Sequence, residues 1–179
     1  MPVEDRKLSS DELGRVAPEA YASALHQRVV VVLDDLRSRH NVGSIFRSCD
    51  AFGAERLVLC GFTPCPPHPE IEKTALGATR SVPWEHSPDA ASALERLKAA
   101  GYRVVAVELT AMALPLRRLR DAHRGPLALV FGNELHGVSD AAVALADACV
   151  MVPQRGSKHS LNVSVCAGVV LHALTGTDD

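Results

Sequence analysis

Five short runs of β-branched and aliphatic residues, at 29–33, 56–60, 103–109, 127–131 and 149–152, alternate with stretches long enough to hold a helix. Strands spaced in this way cannot pair through tight hairpins. Each must return by a crossover, which predicts an α/β fold with a mostly parallel sheet flanked by helices. Local punctuation agrees: Ser87-Pro88 opens a helix that Gly101 closes, Ser139 caps another, and Gly53 follows a third. A length of 179 residues suits one such domain, read as 29–179 behind a short N-terminal arm or helix at 1–28. Only 4% of the chain is aromatic against 47% apolar, so the core is expected to be aliphatic.

The charge balance, 19 Lys and Arg against 21 Asp and Glu, argues against a protein that coats nucleic acid by bulk attraction, while leaving room for a local basic surface. No apolar run approaches the roughly 20 residues of a membrane-spanning helix, and the opening MPVEDRKLSS lacks the apolar core of a signal peptide. A cytoplasmic protein is expected. The five cysteines, Cys49, Cys60, Cys65, Cys149 and Cys166, form no C-x-x-C pair and read as reduced, mostly buried thiols. The 8 histidines show neither H-x-x-x-H nor H-E-x-x-H, so no metal site is expected.

Two further segments shape the expectations. Residues 61–69, G-F-T-P-C-P-P-H-P, form a stiff loop after a strand, because each proline fixes φ and removes a donor. Such a loop is either a wall of a ligand site or a rigid connector. The last helix, 160–174, carries Leu161, Val163, Val165, Cys166, Val169, Val170, Leu171 and Leu174 around more than one face. The sheet covers one side, and a second copy of the chain is expected on the other, giving a homodimer.

Three polar segments follow strands. In the first, 33–47, Asn41 lies where a helix should begin and Arg47 sits six residues on; with Arg37 and Arg39 the helix start would suit a phosphate, although Asn41 alone also reads as an ordinary N-cap. The second, L-V-F-G-N-E-L-H-G at 129–137, runs from a strand into a tight turn where Gly132 and Gly137 admit close backbone approach and Glu134 is a crowded carboxylate. It is neither a P-loop nor a G-x-G-x-x-G turn. The third, 152–162, places Arg155, Lys158 and His159 in a loop before a helix for which Ser160 is the cap candidate; Asn162, a poor helix former at its head, is expected to have another partner.

The three stretches N-V-G-S-I-F-R-S-C-D-A-F-G, F-G-N-E-L-H-G and V-P-Q-R-G-S-K-H-S-L-N-V-S-V resemble, in order, the motifs of the SpoU/TrmH family of SPOUT RNA 2'-O-ribose methyltransferases. The likeness spans residues 29–174. It implies an α/β fold with a C-terminal deep trefoil knot, a homodimer, S-adenosylmethionine as methyl donor, and a structured tRNA or rRNA as substrate. By position, Asn41, Arg47, Glu134, Ser160 and Asn162 match the family's catalytic polar residues. Gly132, Val152 and Leu161 match places that hold the donor, and Thr110 is a weaker candidate for the same cradle. The family's arginine falls on Arg47, read as a phosphate binder and alkoxide stabiliser, with a phosphate-assisted base role left open. A noncatalytic RNA-binding module with the same fold is the alternative. Gln154 stands where many relatives have Met, and the proline-rich loop is not a family feature. Without the large N-terminal RNA-binding domain of some relatives, substrate capture is expected from the catalytic dimer and its arm.

Overall fold

The computed structural model describes residues 6–9, 12, 14, 18–21, 27–122, 125–157 and 160–175. Among them seven strands, β1 (Gln27–Asp34), β2 (Ala54–Cys60), β3 (Trp84–Ser87), β4 (Arg103–Val107), β5 (Leu114–Pro115), β6 (Leu127–Gly132) and β7 (Ala148–Met151), form one sheet in the order β3-β2-β1-β6-β4-β7-β5. Every pairing is parallel. The five anticipated strands are present, with β4 ending at Val107 rather than 109. The two unanticipated ones lie toward the sheet's edges, where apolar patterning is weakest: β3 is mostly exposed, and β5 contains Pro115, a residue that sheets tolerate at edges.

Alternation along the strands divides the core. Val31, Leu33, Leu57, Leu59, Leu129 and Phe131 pack on one face with α2 (Arg39–Ala51), α3 (Pro69–Ala75) and α8 (Val163–Thr175). On the opposite face, Val30, Val32, Val58, Ala128 and Val130 meet α5 (Ala90–Ala99) and α7 (Asp140–Leu145). The remaining helices are α1 (Pro18–Tyr21), α4 (Ala78–Ser81) and α6 (Leu116–Ala122). Of the expected arm, α1 is described, and the Tyr21 hydroxyl donates to the Cys49 carbonyl at 3.0 Å.

Three helix starts differ from the sequence reading. Asp89, not Ser87, caps α5 by accepting from the Ser92 N–H at 2.7 Å; Gly101, at φ +85°, follows that helix as expected. Ser38, not Asn41, caps α2, its hydroxyl accepting from the Asn41 N–H at 3.2 Å. Ser160 lies before α8, and Asn162 takes the capping role: its Oδ1 accepts from the Ser164 N–H at 2.9 Å and the Val165 N–H at 3.3 Å. The Ser139 cap is as anticipated.

Strand order positions the site. The chain leaves β1 toward β2 and β3, crosses back through α5 to β4, and then inserts β6 between β1 and β4. Asp34 at the end of β1 stands level with Cys60 of β2 and Gly132 of β6. Open parallel sheets bind ligands beyond such carboxyl ends, where the strand order reverses. No helix among the described residues is long and apolar enough to cross a membrane.

Candidate active site

The carboxyl ends of β4, β6 and β7 enclose a cleft of about 570 Å3, a size typical of small-molecule sites. Glu108 and Leu109 line it after β4, Gly132 at the end of β6 and Glu134 just beyond it, and Val152, Ser160, Leu161 and Asn162 after β7. Gly132 is required sterically. A Cβ there would lie 2.1 Å from the Gly137 carbonyl carbon and the Val138 nitrogen, so only glycine lets the turn fold back this closely.

That turn is internally tied. Asn133 and Gly137 exchange backbone hydrogen bonds at 2.9 Å each. The Asn133 Oδ1 accepts from the Leu135 and His136 N–H groups, while its Nδ2 donates to the Asp35 carbonyl at 2.6 Å. Glu134 therefore projects from a fixed base. Its carboxylate accepts from the Arg37 N–H at 2.9 Å, the Ser38 N–H at 3.0 Å and the Asn41 Nδ2 at 3.0 Å. Partial burial by itself would raise the Glu134 pKa; the donors from Arg37, Asn41 and Ser38 outweigh it and hold the carboxyl below the ordinary glutamate value.

The relay continues into the third segment, since the Asn162 Nδ2 donates to the Asn41 Oδ1 at 3.1 Å. Each amide has one consistent orientation: Asn41 turns its NH2 to the carboxylate and its oxygen to Asn162, leaving the Asn162 oxygen for the start of α8. Residues 41, 134 and 162, far apart in sequence, are thus one connected unit at the cleft.

Two expected site residues fall elsewhere. Arg47 is exposed on α2 and lines a separate groove, because six residues of helix carry it about 9 Å along the axis and about 120° around from Asn41. Thr110 does not line the cleft; its carbonyl accepts from the Ala113 N–H at 3.1 Å in a turn, and the neighbouring Glu108 and Leu109 take the position expected of it. The proline-rich loop is not a wall of the cleft either. It buttresses the first segment: buried Thr63 accepts from the Leu36 N–H at 3.0 Å and donates to the Leu33 carbonyl at 3.2 Å. Of the cations expected around these loops, Arg39 pairs with Glu70 at 3.4 Å and Arg155 is exposed, while Lys158 and His159 lie outside the described residues.

Glu108 is a site residue that the sequence reading does not anticipate. Its Oε1 accepts from the Leu109 N–H at 2.7 Å and its Oε2 from the Val138 N–H at 2.9 Å, joining the loop after β4 to the loop after β6. Its one readable signal is a lone carboxylate at the end of an apolar strand. Cys166 faces the same cleft; burial, and secondarily the Glu108 charge, push its thiol up to about 11, so it stays protonated at neutral pH. Residues 152–157 make no hydrogen bond to another described residue, which leaves the backbone of Val152 and Gln154 available at the cleft.

Comparison with known proteins bears directly on this arrangement. The SpoU rRNA Methylase family matches residues 28–172, enclosing all three segments and the whole cleft. The chain belongs to the SpoU family. Within that family it is 36% identical over 143 residues to a Thermus thermophilus tRNA (guanosine(18)-2'-O)-methyltransferase, covering 80% of this chain and 72% of the relative. The crystal structure of the A. aeolicus TrmH/SpoU tRNA modifying enzyme superposes with a TM-score of 0.77 at 29% identity, covering 87% of this chain and 78% of that one. An AdoMet-bound rRNA methyltransferase from Sinorhizobium meliloti gives a TM-score of 0.75 at 28% identity, covering 89% of this chain and 60% of that one. The expected SpoU α/β architecture and the observed parallel sheet agree.

Proposed function

We propose that this SpoU-family chain transfers a methyl group from S-adenosylmethionine to a ribose 2'-hydroxyl of a structured tRNA or rRNA. The observation that carries the reading is the Glu134–Asn41–Asn162 relay, which brings the three motif segments together at the edge of a ligand-sized cleft.

The cleft fits the donor chemically. Backbone groups after β7 that have no partner among the described residues suit an adenine edge, while Leu109, Val152 and Leu161 offer apolar cover and Gly132 close approach. When bound, S-adenosylmethionine supplies an electrophilic methyl group on a sulfonium sulfur. The chain's part is placement and charge: Glu134 fixes Asn41, Asn41 fixes Asn162, and Ser160 and Asn162 present polar groups at the cleft mouth. Arg47, with its forked donors, serves to hold a phosphate and stabilise the developing alkoxide.

Arg47 performs this role across a homodimer. Leu161, Val165 and Val169 form an exposed apolar stripe, 38%, 52% and 40% accessible, on and just before α8, the helix that packs against α2. A second copy seated on that stripe would bring the α2 helices near the partner's cleft. The C-terminal trefoil knot belongs to the same reading, through the resemblance to the family.

The test is methyl transfer from labelled S-adenosylmethionine to total RNA from cells lacking the gene, with modified positions mapped by resistance to alkaline cleavage. A labelled 2'-O-methylnucleotide in tRNA or rRNA is the expected product. Donor binding without transfer to any RNA would overturn the proposal.

A further inference from the structure

We propose that the groove between α2 and α3, with Lys73 beside Arg47, seats a phosphodiester of the RNA backbone. The inference rests on the RNA-substrate reading above and adds a second cation and a location outside the donor cleft.

The groove, about 520 Å3, is lined by Ser44, Arg47, Ser48, Lys73, Thr74 and Leu76, with Ala51 and Phe52 at one side. It shares no lining residue with the cleft. Its shape originates in the N-V-G part of the first segment. A Cβ at Gly43 would lie 2.1 Å from the Thr74 Oγ1 and 2.3 Å from the Ile71 carbonyl oxygen, so glycine lets α3 lie directly on α2. The Thr74 hydroxyl, 3.1 Å from the His40 carbonyl, pins the two helices together. Arg47 is one turn beyond Gly43 on the same helix face, and Lys73 precedes Thr74. Two cations are thereby brought to one groove by backbone packing.

Salt bridges neutralise only some of the described cations; Arg37, Arg80 and Arg103, for example, have no carboxylate partner among the described residues. Arg39, Arg56, Arg96 and Lys98 each have a carboxylate partner. Arg47 and Lys73 form no ion pair or hydrogen bond with another described residue, and no acidic side chain lines the groove. The acids nearest Lys73 in sequence are already engaged, Glu70 by Arg39 and Glu72 by the Thr79 hydroxyl at 2.8 Å. The Ser44 hydroxyl is likewise without a partner among the described residues, whereas Ser48 donates to the Ser44 carbonyl at 3.2 Å. Two uncompensated cations and a free hydroxyl around an open concavity favour an anion. The forked guanidinium suits a phosphate's paired oxygens, and the ammonium adds a point charge. A shallow, open groove suits a chain-borne phosphate better than a free one.

The experiment measures binding of a fluorescently labelled tRNA transcript to the full chain without donor, over a salt series, for wild type, Lys73→Gln, Lys73→Glu and Lys73→Arg. Lys73 is exposed, so these chains are expected to fold as wild type does, checked by circular dichroism. Lys73→Gln should weaken RNA binding about five-fold and flatten the slope of log affinity against log salt by about 1. Lys73→Glu should weaken it further, Lys73→Arg should restore it, and all four should bind S-adenosylmethionine equally. Wild-type affinity and slope in Lys73→Gln would overturn the groove while leaving the methyltransferase reading standing. Failure of the wild type to bind any RNA would overturn both. Inorganic phosphate should compete only as ordinary salt of equal ionic strength; displacement of RNA at micromolar phosphate would mark a free-phosphate site and overturn the proposal.

Discussion

Replacing Glu134 with alanine removes the acceptor for three donors at once, the Arg37 and Ser38 N–H groups and the Asn41 amide, at 2.9, 3.0 and 3.0 Å. Charge-assisted hydrogen bonds contribute about 1.5–3 kcal/mol each where buried, but this carboxylate is exposed and water can retake its donors; roughly 0.7 kcal/mol each, or about 2 kcal/mol together, is the expected loss near neutral pH. The loss is pH-dependent with a definite sign. A glutamate held below its ordinary value contributes its full stabilisation above about pH 4.3 and loses it as pH falls through the lower native value. Urea unfolding followed by circular dichroism across that range should therefore show wild type and Glu134→Ala converging as acid is added, with similar urea dependence throughout. Glu134→Gln should fall between them, because its NH2 turns a donor toward N–H groups. A wild-type-to-alanine gap that stays constant, or widens, as pH falls would refute the account of this carboxylate.

Asn162 separates capping from the relay: Asn162→Asp keeps the acceptor for α8 and should unfold within a few tenths of a kcal/mol of wild type, whereas Asn162→Ala should lose about 1 kcal/mol, yet both should lose methyl transfer because neither can donate to Asn41. Equal activity of wild type and Asn162→Asp in a transfer assay would remove the relay from the mechanism. Gly132→Ala drives a Cβ to 2.1 Å from backbone and should cost about 3 kcal/mol or more, with donor affinity falling in calorimetry alongside the melting temperature. Arg47→Ala should abolish methyl transfer while sedimentation reports the same oligomeric state as wild type and calorimetry an unchanged donor affinity; transfer near the wild-type rate would dismiss the arginine's assigned role.

The central strands are legible in the sequence because a short aliphatic run, bounded by turn residues and apolar at every position, fits a strand covered by helices on both faces, and β1, β2, β4, β6 and β7 all carry one. The strands toward the edges are not: four mostly exposed residues at β3 and a Leu-Pro pair at β5 become strands only because a neighbour supplies hydrogen bonds. Helix starts are hidden for a related reason. The sequence reading takes Asn41 as the cap of α2, whereas Ser38 fills that place and the Asn41 side chain is engaged by Glu134, 93 residues downstream. At the other junction Asn162 does what is expected of Ser160, and the partner anticipated for Asn162 is Asn41. Glu108 escapes a sequence reading because its role is to hold two backbone N–H groups, one 30 residues away.

The position of Arg47 has the largest consequence. Helical arithmetic alone sets it away from Asn41, although the family motif joins them in one line of sequence. The first segment therefore serves two places through one helix: its N-terminal turn is clamped by Glu134 to the cleft, and the next turns, held against α3 at Gly43, carry the arginine into a cationic groove. A rigid α2 makes the separation of those places within one protomer a property of the fold, so in the proposed homodimer the groove of one copy would serve the partner's cleft. Substitutions in the groove should accordingly act on RNA affinity and alignment, and substitutions in the relay on methyl placement. Their effects should combine independently in binding and depend on one another only in turnover.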